Sequence, residues 1–199
     1  MQIANPCLLI INIQVDFASP DGFAAKLGRK LDPIQEILPR LRLFYRQLKA
    51  LAVPVIFLQY VARKDLSPVN IRINKDREEK ARICLLNSRG ANLYYFKPGE
   101  TDLVLQQRYY DAFAQSRLTL CLQKRNIKTL IVTGIRSELS VDATAKRAIN
   151  EGYEVIVAKD LIATYQERSA AQKQFLEIFD RYYGYAMDSA AIIDNLQDR

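Results

Sequence analysis

One stretch constrains this chain more than any other. It runs Leu130-Ile-Val132, breaks at Gly134, and resumes at Ser140 with small and apolar residues at helical spacing, Val141, Thr144, Ala145 and Ala148. A short, continuously apolar run fits a strand covered on both faces. A strand that feeds a helix through a tight turn is the repeating unit of a parallel α/β sheet. The N–H groups of the first helical turn have no partner within the helix and face whatever lies above the sheet edge. Ser140, at the expected helix start, is therefore either a cap or a nucleophile.

The same alternation extends along the chain. Residues 7–13 are an apolar run ending near the polar Asn12. Asp32 and Pro33 suit the N-cap and first position of a helix. Ile34, Ile37, Leu38, Leu41, Tyr45 and Leu48 follow at the spacing of one buried face. Residues 55–58 read as a second strand. Residues 60–100 have no clean period, and a connection that long suggests a lid or pocket wall. A short strand at 103–105, a helix at 114–124, a strand at 129–133 and a helix at 140–151 come next, with Gly152 where a C′ glycine belongs. A strand at 154–158 ends at Lys159 and Asp160. A helix at 167–183 turns Ala171, Phe175, Ile178, Phe179 and Tyr182 inward, an edge strand covers 185–187, and Ser189 caps a last helix. The pattern predicts one domain over 1–199, three layers α/β/α, with a six-stranded, mostly parallel sheet.

Composition excludes several chemistries. The chain has no histidine, so a Ser-His-Asp triad, a Cys-His pair and a histidine zinc site are all impossible. The three cysteines are far apart and odd in number, which fits packed thiols in a reducing compartment. No metal cluster stands out and no cofactor is called for. No apolar stretch approaches the ~20 residues of a membrane span, and the N-terminal residues lack a signal-peptide pattern. A cytoplasmic protein without a membrane partner is expected. The net charge is +7, and residues 63–89 hold eight Lys/Arg against four Asp/Glu. That segment reads as a solvated surface, with a polyanion as the functional alternative; no nucleic-acid motif accompanies it.

Three stretches, in order, resemble the isochorismatase-like hydrolases, the family that includes nicotinamidases. Leu9-Ile-Ile-Asn-Ile-Gln-Val-Asp-Phe17 is similar to that family's opening strand, apolar-apolar-Asp-x-Gln-x-Asp-Phe. Val104-Leu-Gln-Gln-Arg-Tyr-Tyr-Asp-Ala-Phe113 resembles its Lys-x-x-Tyr-Ser-Ala-Phe region. Residues 132–145 resemble its Gly-x-x-Thr/Ser-x-x-Cys-Val-x-x-Thr-Ala signature. The resemblance implies an isochorismatase-like, Rossmann-like fold and an Asp–Lys–Cys triad. It also implies an oxyanion turn with a cis peptide at Ile135–Arg136, and a homo-oligomer, dimer or larger.

The sequence departs from that triad at every member. Asn12 stands at the Asp position, Gln107 at the Lys position and Ser140 at the Cys position. An amide takes no proton as a carboxylate does, a glutamine supplies no cation, and a serine needs a base beside it. The expectation is a catalytically degenerate member that binds a small ligand or partner. Ile135, Arg136, Phe17, Tyr110 and Phe113 are candidates for the oxyanion turn and pocket. The alternatives are a divergent amide hydrolase using Ser140 with Asp16 and Arg136, and an interaction protein using the basic segment.

Overall fold

A computed structural model describes residues 3–63, 82–114 and 116–197. Six strands form one all-parallel sheet. They are β1 (Pro6–Ile11), β2 (Val55–Tyr60), β3 (Leu103–Gln107), β4 (Thr129–Ile135), β5 (Glu154–Ala163) and β6 (Tyr185–Met187). Their order is β3-β2-β1-β4-β5-β6. The chain steps outward from β1 on one side, returns, and steps outward on the other. The reversal falls at β1, between β2 and β4, and in such sheets the crevice at that reversal is where ligands bind.

Two short helices, α1 (Val15–Ala18) and α2 (Phe23–Lys26), follow β1. The longer ones are α3 (Asp32–Ala50), α4 (Leu118–Lys124), α5 (Asp142–Asn150), α6 (Ser169–Tyr182) and α7 (Ser189–Gln197). The alternation of side chains along a strand divides the core in two. Leu8 and Ile10 of β1 pack with Ile34, Leu38 and Leu41 of α3 and Ile192 of α7. Cys7, Leu9 and Ile11 pack with Leu118 and Leu122 of α4, Ala145 and Ala148 of α5, and Phe175 and Phe179 of α6. No residue from Cys7 to Ile11 is more than 1% exposed.

Several boundaries differ from the sequence reading, each for a local reason. β1 stops at Ile11 because Asn12 adopts a left-handed backbone, φ 55°, a conformation asparagine tolerates better than most residues. Asp32 is the first residue of α3 and makes no cap; Leu31 occupies the cap position. On α3 the buried aromatic is Phe44, while Tyr45 is half-buried and donates its hydroxyl to Asp102 at 2.5 Å. Asp102 also accepts from Lys49 at 2.6 Å and the Gly99 N–H at 2.7 Å, which fastens the start of β3 to α3.

α4 begins at Leu118, later than expected. β5 runs on through Lys159 and Asp160 to Ala163. Asp160 accepts the Ser189 N–H and hydroxyl at 2.8 and 2.7 Å, so it is the carboxylate, not Ser189, that serves as acceptor at the start of α7. Ile178 and Tyr182 of α6 face solvent; Phe175 and Phe179 carry its burial. Most of the basic 63–89 segment, and with it much of the expected lid, lies outside the described residues. Where it is described, Ala62 bridges Leu85 and Arg89 pairs with Asp21 at 2.6 Å.

Gly134 sits in β4 at φ 110°, directly against the Ile11 backbone. A Cβ there would collide with the Ile11 carbonyl oxygen, whereas one at Gly152 (φ 87°) meets open space. Gly134→Ala is expected to lose about 3 kcal/mol or more in urea unfolding, from backbone strain and overpacking together. Gly152→Ala is expected to lose about 1 to 2 kcal/mol from strain alone. Equal losses would show that the approach to Ile11 is not what demands glycine.

Candidate functional site

Parallel strands deliver their C-terminal ends to one edge of the sheet. Asn12 follows β1, Gln107 ends β3, and Ser140 lies in a π-helical turn, Ser137–Val141, between β4 and α5. The structure brings these three side chains together. Gln107 Nε2 donates to Asn12 Oδ1 at 2.9 Å, and Asn12 Nδ2 donates to Ser140 Oγ at 2.9 Å. Asn12, Gln107 and Ser140 are 3%, 1% and 5% exposed. The left-handed turn at Asn12 takes the chain out of β1 at the point where its side chain meets both partners.

This chain of hydrogen bonds carries no formal charge. Ser140 Oγ receives a donor from Asn12, so the contact does not withdraw its proton. Were both amides reversed, Ser140 would donate to an amide oxygen, which is no proton acceptor at physiological pH. Ser140 is not a helix cap. It lies inside the π turn, and neither that turn nor α5 has a side-chain cap. The Leu139 and Val141 N–H groups both end on the Arg136 carbonyl at 3.2 Å, which occupies two donors of this turn. The Ile135–Arg136 peptide is cis.

Arg136 and Asp16, the charged partners of the alternative hydrolase reading, are engaged elsewhere. The Arg136 guanidinium pairs with Glu138 at 2.8 Å and lies over the Tyr165 ring, 4.8 Å from its centroid. The Asp16 carboxylate accepts the Phe23 N–H at 3.2 Å and the Cys84 N–H at 2.7 Å, joining the start of α2 to the loop before β3. Burial holds the Tyr60 hydroxyl, beside Gln107 on the neighbouring strand, well above the ordinary phenol value, so it is neutral and no base. No thiol stands at the Ser140 seat. Burial pushes Cys7 up to about 12 and Cys84 well above the usual thiol value, so both are protonated and inert at neutral pH.

The aromatic candidates divide between the two cores. Phe17 packs 6.1 Å from Tyr60 on the α3 side of the sheet. Phe113 packs 6.1 Å from Tyr153 on the other. Tyr110 is half-buried, and its carbonyl accepts the Thr144 hydroxyl at 3.3 Å. Ile135 is fully buried at the end of β4.

Two further residues, Gln14 and Thr144, support the site, and neither is singled out by the sequence pattern. Gln14 donates to the Tyr60 and Ala91 carbonyls and accepts the Tyr60 N–H, each at 2.8 Å, which ties the end of β2 to the loop beside the site. Thr144 holds the segment after Gln107 through Tyr110 and the Ala112 N–H. Their polar type inside apolar surroundings was the available signal, since a buried polar group needs partners. Among the described residues no three of His, Cys, Asp and Glu converge as metal ligands, and no helix is long and apolar enough to cross a membrane.

Residues 6–191 match the family model of the isochorismatase domain. A ureidoacrylate amidohydrolase, RutB, from Methylobacterium radiotolerans is 26% identical over 94% of this chain and 78% of its own length. An isochorismatase-like hydrolase from Alkaliphilus metalliredigens superimposes with a TM-score of 0.82 at 20% identity, over 96% of this chain and 98% of that one. A cysteine hydrolase from Pseudomonas syringae pv. phaseolicola superimposes with a TM-score of 0.81 at 18% identity, over 100% of this chain and 95% of that one. These two show the same fold. With the family match running from the first strand into the last helix, the chain belongs to the isochorismatase domain family.

Proposed function

We propose that this protein is a non-hydrolytic member of its family whose site binds a small ligand. The observation that carries the reading is the neutral chain Gln107–Asn12–Ser140, buried and joined by two hydrogen bonds. Attack on an amide carbonyl needs a nucleophile that loses a proton, a base that takes it, and donors for the developing oxyanion. Ser140 has a hydroxyl, but its neighbour is an amide. The family resemblance supplies the comparison: a carboxylate and an ammonium at the Asn12 and Gln107 positions would form an ion pair around a thiol.

A Ser140-dependent hydrolase is the second reading, favoured by Ser140 standing where the nucleophile of the resemblance stands. It needs a base that Asp16, turned onto the Phe23 and Cys84 N–H groups, does not supply.

Purified protein incubated with ureidoacrylate and with nicotinamide is expected to form no product above background. Turnover of either at an ordinary enzymatic rate, about 1 s⁻¹ or faster, that disappears in Ser140→Ala would overturn the proposal in favour of the second reading.

The neutrality of the trio also has a signature in stability. Asn12→Asp places a carboxyl in a buried site with no cation against it, and burial raises its pKa above the unfolded value of about 3.9. The folded state then holds the proton more tightly than the unfolded state, so stability is lost as pH rises above that value. Asn12→Asp is expected to match wild type within about 1 kcal/mol near pH 4 and to be about 3 kcal/mol less stable at pH 7. Adding Gln107→Lys should recover at least half of the loss at pH 7. Urea titrations of the three proteins at both pH values check this; a single-variant penalty independent of pH would mean that Asn12 does not sit in a charge-free environment.

A further inference from the structure

The apolar stripe of α6 is wider than the core beneath it. The spacing of Ala171, Phe175, Ile178, Phe179 and Tyr182 predicts one inward face, but only Phe175 and Phe179 are sealed. Ile178 and Tyr182 lie one turn apart on the flank of that face and reach water, and Tyr183 and Tyr185 follow them into β6. Among the described residues ten large hydrophobic side chains are exposed. Four of them fall between 178 and 185, from 36% at Ile178 to 70% at Tyr182. The other six are scattered from Leu27 to Leu120, and single exposed side chains of that kind are ordinary.

The patch is also held in shape. Tyr183 stacks on the buried Phe179 ring, with 6.1 Å between centroids and 11° between planes, and Lys146 of α5 lies 5.3 Å from the Tyr183 centroid. Arg181 lies over the Tyr182 ring at 5.4 Å. The Ala186 N–H donates to Asp180 at 2.8 Å, which ties β6 to the end of α6. Tyrosines with arginine beside them dominate many protein–protein contacts, because they bring large area at little cost in lost motion.

We infer that a second copy of this chain covers this patch, the two α6 helices packing antiparallel about a two-fold axis near Ile178. The helix is self-complementary when reversed. It opens on small residues, Ser169, Ala170 and Ala171, and the segment closes on Tyr182, Tyr183 and Tyr185. Ala171, Ile178 and Tyr182 fall at helical spacing along one stripe. Antiparallel pairing sets the bulky end of each helix over the small end of the other and brings Ile178 beside its own copy. A two-fold contact requires a patch that complements itself.

The charges fit the same partner. On α6 and the neighbouring turn of α5, Lys146, Lys173 and Arg181 are matched by Asp142, Glu177 and Asp180. Such a rim meets its own copy without net repulsion, whereas a nucleic acid or an acidic protein would face three carboxylates. The area points the same way. The three tyrosines and Ile178 leave about 400 Å² in water. That is about half of the ~800 Å² each partner of a standard complex buries, and the stems of the rim residues add to it.

Light scattering on a sizing column, with the full chain loaded at about 10 and 100 µM, tests the surface. Wild type is expected to run as an even-numbered oligomer. Ile178→Glu combined with Tyr182→Glu is expected to halve its mass with an unchanged circular dichroism spectrum, since both side chains are exposed in the single chain. Leu43→Glu combined with Leu120→Glu, which alters exposed leucines on α3 and α4, is expected to leave the mass as it was. Ile178→Cys in a Cys121→Ser background is expected to give a covalent dimer when diamide takes up the two thiol hydrogens.

A wild-type monomer at both concentrations would overturn the inference. So would an oligomer whose mass survives the double Glu change on α6, or one that falls equally with the changes on α3 and α4. Failure of Ile178→Cys to cross-link would overturn it as well, because the axis would then lie elsewhere. Should the α6 Glu variant fail to fold, the cross-link decides.

Discussion

The central strand has water on neither face. From Cys7 to Ile11 every side chain of β1 is sealed, alternately beneath α3 and α7 and beneath α4, α5 and α6. A polar side chain on such a strand needs a partner inside the core, as Thr133 of β4 has in the Leu9 carbonyl at 2.8 Å; β1 itself is apolar from Cys7 to Ile11, and its polarity lies at its end. Because all strands run parallel, their C-terminal ends share one edge, and the reversal of strand order at β1 opens that edge. The position of Asn12 is thus dictated before any chemistry is considered. Gln107 reaches it from two strands away, over the end of β2. Neighbouring strands lie about 4.8 Å apart, so the two side chains and the hydrogen bond between them must together cross nearly 10 Å of sheet. A long side chain makes the contact at 2.9 Å; a serine or asparagine at that position would fall short.

Amides are the connectors throughout this edge. Gln107 joins β3 to Asn12, Asn12 joins β1 to the π turn, and Gln14 joins the end of β2 to the Ala91 loop through three bonds. A neutral donor–acceptor group can be buried for the modest cost of losing its water when partners are in place, whereas an ion pair must recover a large desolvation cost. The edge is therefore held by groups that survive burial individually. That is a sound way to stiffen a site and a poor way to ionise a serine.

Much of the architecture was legible because the strands are continuous apolar runs. Leu130-Ile-Val132 and residues 7–11 could hardly be anything else, and the order of strand and helix followed. The trio positions were legible through motif resemblance, but their mutual contact depends on long-range geometry, with Asn12 and Ser140 joined across the fold. What failed was local. Lys159 and Asp160 looked like the end of a strand; their partners Asp188 and Ser189, far along the chain, allow β5 to continue. The π turn at 137–141 has no residue signature, since its defining bond from the Val141 N–H to the Arg136 carbonyl can be made by any residue pair. Phe17 and Phe113 lie on opposite sides of the sheet, because the segments carrying them leave it on different sides, and that division cannot be read from the sequence.

Asn12 and Asp16 show how environment decides which residue can carry charge here. They lie four positions apart, in a stretch that resembles a family motif with aspartate at both places. Asp16 has left the sheet. Its carboxylate is half-buried and receives two backbone N–H groups, from Phe23 and Cys84, which suit an ion. It also fills the space a side chain at residue 90 would need, so the loop must present Gly90 there. Asn12 remains at the sheet edge, where its two contacts are a glutamine amide and a serine hydroxyl. A carboxylate at 12 would have the burial of an active-site base without a cation to hold it ionised. With glutamine at 107, asparagine at 12 is the residue the site can accommodate, so the neutrality of either position depends on the neutrality of the other.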